Sequence, residues 1–159
     1  MNHFPAAVVV ASNRAAAGVY ADETGPLIAK ALQDWGFSVF SVAVVPDGEP
    51  VGEAIRACVR AGARLLLTTG GTGLTPTDKT PEVTLPMLDR EIPGIAEAIR
   101  AYGVTHGVPA AALSRGLAGT IGTCLVVNLP GSKGGVKDGL AVLEPLAVHA
   151  VEQITGSDH

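Results

Sequence analysis

The chain has 159 residues and a mass of 16.1 kDa, the size of one ordinary domain built on one core. Hydrophobic residues make up 47% and charged residues 16%, with a mean hydropathy of +0.36, which excludes a disordered chain. The formal net charge of −4 and the 4% aromatic content offer neither a basic stripe nor stacking platforms for nucleic acid.

In chain order, Ala6–Ser12 is an apolar run ending in a small polar residue, as expected of a strand covered on both faces. Its shortness, and the lack of a preceding Lys or Arg, make it a strand rather than a signal peptide. Gly25-Pro26 opens a helix whose apolar side is Leu27, Ile28, Ala31, Leu32 and Trp35, closed by Gly36. Phe37–Val45 reads as a strand, Val51–Ala61 as a helix stopped by Gly62, and Leu65–Thr69 as a third strand. A long loop, Gly70–Thr80, follows. Thr80-Pro81-Glu82 starts a helix, with Thr80 as its cap, and Pro93-Gly94 precedes another through about Tyr102. Leu117–Ile121 and Cys124–Leu129 are short strands joined at Gly122. The loop Pro130–Gly135 leads into a final helix over Val136–Ile154, and Gly156–His159 is a frayed tail.

No apolar run approaches the roughly 18 residues of a membrane-spanning helix. Cys58 and Cys124 lie in apolar segments with no CxxC or metal spacing, which makes them buried thiols of a reducing, cytoplasmic protein. His3, His106, His149 and His159 share no metal spacing. So sparsely charged a surface is expected to be covered in part by another subunit, since ordinary soluble proteins carry roughly 25% charged residues. The alternation of elements predicts a single-domain α/β fold, a three-layer sandwich with helices on both faces of a mostly parallel sheet.

Ligands of such folds bind beyond the carboxyl ends of the strands. Thr69-Gly70-Gly71-Thr72-Gly73 stands there, where glycine backbone N–H groups can approach an anion and threonine hydroxyls add donors. The same residues would also make a plain tight turn. Pro76 replaces the last glycine of a dinucleotide motif, and no loop ends in GK[ST], so the standard nucleotide loops are absent. A second loop, Asn128 to Gly135, carries Pro130, Gly131 and Ser132 into a helix whose N-terminus attracts anions, with Lys133 and Lys137 beside it. Arg14, Lys79 and Arg115 are further basic residues in loop-like stretches.

Two carboxylates, Asp47 in Val45-Pro46-Asp47-Gly48 and Asp78 in the long loop, suit a hydrated Mg²⁺ on polyphosphate oxygens if both face the glycine loops. Either is otherwise a turn former. Glu82 has a catalytic reading and a helix-start reading. Ser12 and Ser114 offer hydroxyls to a ligand or to their own loops.

The stretch Thr68-Thr69-Gly70-Gly71-Thr72-Gly73-Leu74-Thr75-Pro76-Thr77-Asp78-Lys79-Thr80-Pro81-Glu82 resembles the signature of the molybdenum-cofactor biosynthesis family, the MogA/MoaB group. The likeness extends to Ser12–Pro26, Val45-Pro46-Asp47, Ser114-Arg115 and Asn128-Leu129-Pro130-Gly131-Ser132, nearly the whole of 1–159. It implies a MogA-like trimeric α/β domain that binds molybdopterin, a pterin dithiolene with one terminal phosphate. It also implies adenylyl transfer from ATP to that phosphate with Mg²⁺, before molybdenum insertion by a partner protein. Asp47 and Asp78 match the aspartates that the family treats as functional, and the two glycine loops match its ligand loops. Asn13 stands where many relatives place Asp, and Thr77 where many place Arg, which removes one phosphate contact. A non-catalytic carrier of the same fold, a scaffold and a nucleotide hydrolase are the rival readings. The intact Asp47/Asp78 pair and the stand-alone length favour the transferase.

Overall fold

Strand β1 (Pro5–Ala11) is an interior strand of the sheet, and nearly every residue in it is apolar, as two covered faces require. In the computed structural model, which describes residues 3–156, it pairs in parallel with β2 (Ser38–Val45) on one side and β3 (Leu65–Thr69) on the other. Strand β6 (Cys124–Leu129) adds to β3 in parallel, β5 (Ala118–Ile121) pairs antiparallel with β6, and the two-residue β4 (Arg90–Glu91) closes that edge. The order is β2-β1-β3-β6-β5-β4. This is the mostly parallel α/β sandwich expected from the alternation of elements.

Side chains alternate across the strands, so the sheet divides the core in two. Ala6, Val8, Val10, Leu65, Leu67, Leu125, Val127 and Leu129 face α2 (Thr24–Asp34), α5 (Pro93–Thr105), α6 (Lys133–Leu143) and α7 (Ala147–Ile154). Ala7, Val9, Leu66, Cys124 and Val126 face α3 (Glu49–Arg60), with the short α4 (Thr80–Thr84) beside it. Cys58 and Cys124 are free and buried in this second layer, and burial pushes the Cys124 thiol up to about 12.

The helix boundaries shift from the sequence reading for local reasons. The expected final helix is two helices, because Pro145 lacks an N–H and separates α6 from α7. Helix α6 starts at Lys133, since the Ser132 side chain accepts the Gly135 N–H at 3.0 Å. Helix α2 starts at Thr24, where the Asp22 carboxylate accepts the N–H groups of Thr24 and Gly25 at 3.1 and 2.9 Å. Thr80 is not the cap of α4 but its first residue, with its hydroxyl turned to the Gly70 carbonyl at 2.9 Å. A four-residue α1 (Asn13–Ala16), capped by Ser12, was not anticipated. The tail expected over Gly156–His159 lies, beyond Gly156, outside the described residues.

One polar residue interrupts the apolar pattern of β6. Asn128 is buried on the α3/α4 side, where its Nδ2 donates to Thr68 Oγ1 at 2.9 Å and Thr84 Oγ1 at 3.3 Å. Its Oδ1 accepts the Leu117 N–H at 3.0 Å, and Thr84 Oγ1 donates onward to the Thr80 carbonyl at 2.7 Å. The amide thus satisfies three elements at once and places α4 under the long loop. Asn128→Ala leaves these buried partners unmet and is expected to cost about 2–3 kcal/mol, read from the urea unfolding midpoint.

Candidate functional site

The four parallel strands all end on one edge, and the residues that follow them meet there. Ser12 and Asn13 follow β1, Asp47 follows β2, Gly70 and Gly71 follow β3, and Pro130 and Gly131 follow β6. The chain leaves β1 toward β2 on one side and leaves the adjacent β3 toward the β6-β5-β4 half on the other, the arrangement that opens a crevice at the carboxyl ends of strands. Backbone bonds lock neighbouring loops together: Ser12 N–H to the Val45 carbonyl at 2.9 Å, and Gly70 N–H to the Leu129 carbonyl at 3.1 Å.

Gly70 and Gly71 have φ of +91° and +69°, and neither has room for a side chain. A Cβ on Gly70 would collide with the Ala11 carbonyl oxygen, and one on Gly71 would collide with Thr80 Oγ1 and come within 3.0 Å of Asp47 Oδ1. These glycines are therefore required by close approach as well as by the turn. Gly131 packs against the same loop, since its Cβ would lie 3.2 Å from Gly70 Cα.

Asp47 and Asp78 converge. Both line a cavity of about 670 Å³ together with Ser12, Asn13, Arg14, Gly70, Gly71, Gly131 and Lys133. Asp47 Oδ1 is buried without a hydrogen-bond partner, the one such side-chain oxygen among the described residues. Burial, and next the charge of Asp78, hold the Asp47 carboxyl above its usual range, partly offset by the Asn13 backbone N–H. Asp78 keeps its turn role as well: its Oδ2 accepts the Thr75 N–H at 3.0 Å and the Thr75 hydroxyl at 2.8 Å.

A second cavity of about 540 Å³ adjoins the first and shares Gly71, Asp78 and Gly131 with it. Thr72, Gly73, Ser114, Pro130 and Ser132 line it, with an apolar wall of Val108, Ala110, Ala111 and Leu113. The wall comes from the turn between α5 and β5, whose small and apolar residues carried no motif in the sequence. Tyr20 and Asp22, which fall within the Ser12–Pro26 likeness without being singled out there, and His106, which belongs to no motif, line one cavity or the other.

Other expected site residues brace the loops. Thr69 is buried, its hydroxyl donating to the Pro130 carbonyl at 2.6 Å, and so links the two glycine loops. Glu82 lines neither cavity: its Oε2 pairs with Arg115 Nη1 at 2.6 Å, and this hydrogen bond holds its carboxyl below the usual range. Arg115 also donates to the Gly73 and Asp78 carbonyls at 2.9 and 3.0 Å, so its guanidinium clamps the long loop instead of reaching for a ligand. Of the five basic residues expected near an anion, Arg14 and Lys133 line a cavity, whereas Lys79, Arg115 and Lys137 do not.

Residues 7–149 match the family model described as "Probable molybdopterin binding domain". The chain belongs to that family. Among solved structures, this family member is 53% identical to the molybdopterin biosynthesis Mog protein of Mycobacterium ulcerans, with a TM-score of 0.91 over 95% of this chain and 99% of that one. It is 39% identical to the molybdopterin adenylyltransferase of Haemophilus influenzae over 84% of this chain and 69% of that one. It is 37% identical to the molybdenum cofactor biosynthesis bifunctional protein of Chlorobaculum tepidum over 99% of this chain and 50% of that one. The chain spans about half the length of the bifunctional relatives it matches. None of its described helices is long and apolar enough to cross a membrane.

The crowded carboxylates set a linkage. Folding raises the proton affinity of Asp47, so the stability this carboxyl contributes is present below its unfolded value of 3.8 and is lost as pH rises through the higher folded value. In chelator, Asp47→Asn is therefore expected to raise the melting temperature at pH 7, with the gain vanishing as pH falls toward 4 and below.

Proposed function

We propose that this chain is a molybdopterin adenylyltransferase, transferring AMP from ATP to the terminal phosphate of molybdopterin in molybdenum cofactor biosynthesis. The observation that carries the reading is the seam where the two cavities share Gly71, Asp78 and Gly131. Two ligands, one in each cavity, would meet there. The larger cavity, with Arg14, Lys133 and both aspartates, suits a triphosphate. The smaller one, with its apolar wall and hydroxyls, suits the pterin. The similarity to a curated molybdopterin adenylyltransferase supports the same chemistry.

Asp47 and Asp78 fit a Mg²⁺ ion, because a buried carboxylate oxygen without a partner beside a second carboxylate is a hard-oxygen donor set lacking its cation. When bound, Mg²⁺ would neutralise charge on the polyphosphate. In the transfer, a pterin phosphate oxygen forms a bond to the α-phosphorus of ATP, and the bond to the bridging oxygen breaks with its electron pair leaving on pyrophosphate. An ionised phosphate is already a nucleophile, so the protein supplies no covalent partner. Gly70 and Gly71 let the backbone approach the phosphates. The N-terminal turn of α6 and Lys133 favour their charge, and the Arg115 brace keeps Asp78 in place.

The reading takes residues 1–159 as one molybdopterin-binding unit that works in the cytoplasm as a homotrimer and hands its product to a molybdenum-inserting partner. The family resemblance supports these features. Incubation with ATP, Mg²⁺ and molybdopterin, followed by mass spectrometry, is expected to show the adenylylated pterin. AMP release without adduct would indicate a hydrolase, and pterin retention without turnover a carrier. Neither binding nor turnover would indicate a scaffold. Asp47→Asn and Asp78→Asn are each expected to lower the transfer rate at least about a hundredfold while the far-ultraviolet circular dichroism is unchanged.

A further inference from the structure

Asn13 is an exposed residue lining the larger cavity, and its side-chain amide is engaged at one end only. Its Oδ1 accepts the backbone N–H of Asp47 at 2.9 Å, joining the turn after β1 to the turn after β2 across 34 residues of sequence. That bond assigns the amide's orientation, since only the oxygen can accept an N–H. The two hydrogens on Nδ2 then have no protein partner among the described residues, in a side chain that is exposed and lines the cavity beside Arg14, Asp47 and Asp78. A carboxylate at this position could also hold the Asp47 N–H, but it could donate nothing and would add a fifth carboxylate to a cavity already lined by Asp22, Glu23, Asp47 and Asp78.

We infer that Asn13 serves the nucleotide in two ways: its Oδ1 positions Asp47, and its Nδ2 donates a hydrogen bond to a polyphosphate oxygen. The amide is neutral, so it adds a donor next to Asp47 and Asp78 without competing with a cation for their oxygens, as Lys or Arg would. It is thus a positioning residue for Asp47 and a contact residue for ATP, its amide donor left unengaged where the Ser12 hydroxyl meets Tyr20 and the Ala15 N–H and the Thr24 hydroxyl is given to Asp22. The inference rests on the adenylyltransferase reading and extends it to one side chain.

Calorimetric titration separates the two roles, using MgATP and, separately, Mn²⁺ alone on the wild type, Asn13→Asp and Asn13→Ala. Asn13→Asp is expected to bind MgATP about tenfold or more weakly, the size of a lost hydrogen bond to a charged acceptor, while holding Mn²⁺ as tightly as the wild type or more so. Asn13→Ala is expected to weaken MgATP binding as well, without gaining Mn²⁺ affinity. Wild-type MgATP affinity in Asn13→Asp would overturn the donor role. So would wild-type MgATP affinity in Asn13→Ala, since the effect of Asp would then be repulsion alone. A parallel loss of Mn²⁺ and MgATP affinity in Asn13→Asp would overturn it too, tracing the defect to a displaced Asp47. If the wild type itself binds no MgATP, the adenylyltransferase reading fails and takes this inference with it.

Discussion

The site depends on a backbone passing where no side chain fits. Between the end of β1 and the start of α4, the chain at Gly70 and Gly71 runs against the Ala11 carbonyl on one side and against Thr80 and Asp47 on the other. Any Cβ there would displace the turn after β1 or the Thr80 and Asp47 side chains, so the loop passes between them only as glycine. Thr80 then ties the loop down through its hydroxyl on the Gly70 carbonyl and its N–H on the Gly71 carbonyl at 3.0 Å. The contact of Gly70 is with backbone, the Ala11 carbonyl, and that of Gly71 is with a Thr80 side chain fixed by its hydrogen bond, so neither neighbour gives way easily.

Around that contact the protein separates bracing from chemistry. Arg115, Glu82, Thr69, Thr80 and Asn128 spend their hydrogen-bonding groups on loops and on one another. Asp47 Oδ1 is left with none, which costs stability in the free protein and leaves the oxygen with unmet capacity, the capacity that the Mg²⁺ of the proposed reaction would fill. Preorganised groups with unmet capacity are what phosphoryl-type transfer asks of a protein, because the reacting phosphates bring their own nucleophile. Braced loops and an unsatisfied carboxylate are therefore two sides of one arrangement. Stability is spent at the point where ligand binding would recover it.

Five of the six strands were legible in the sequence as short, mostly apolar runs bounded by glycine or a polar turn, whereas the two charged residues of β4 carry no such pattern. Ala6–Ala11, Leu65–Thr69 and Cys124–Leu129 stand within a residue or so of where the pattern put them. Helix ends were less so: the signals at Ser132 and Asp22 act at a distance of two or three residues, and Thr80 looked like a cap while serving a loop across the fold. Similarly, Arg115 and Glu82 carry charges that suit a ligand equally well, and only their 2.6 Å pairing across 33 residues shows that they answer each other.

By itself, then, the order of residues determined the layered α/β fold and its candidate ligand loops, because periodicity and glycine placement are local properties of the chain. It also marked Asp47 and Asp78 as acids next to turns. What only the folded molecule decided is which side chains share a cavity: that Asp47, Asp78 and Asn13 open into one space, that the wall of the second cavity comes from the turn after α5, and that Arg115 faces inward to the loop. Those outcomes follow from parallel strands ending on a common edge, which brings together residues separated by thirty or more positions, and no local pattern encodes that distance.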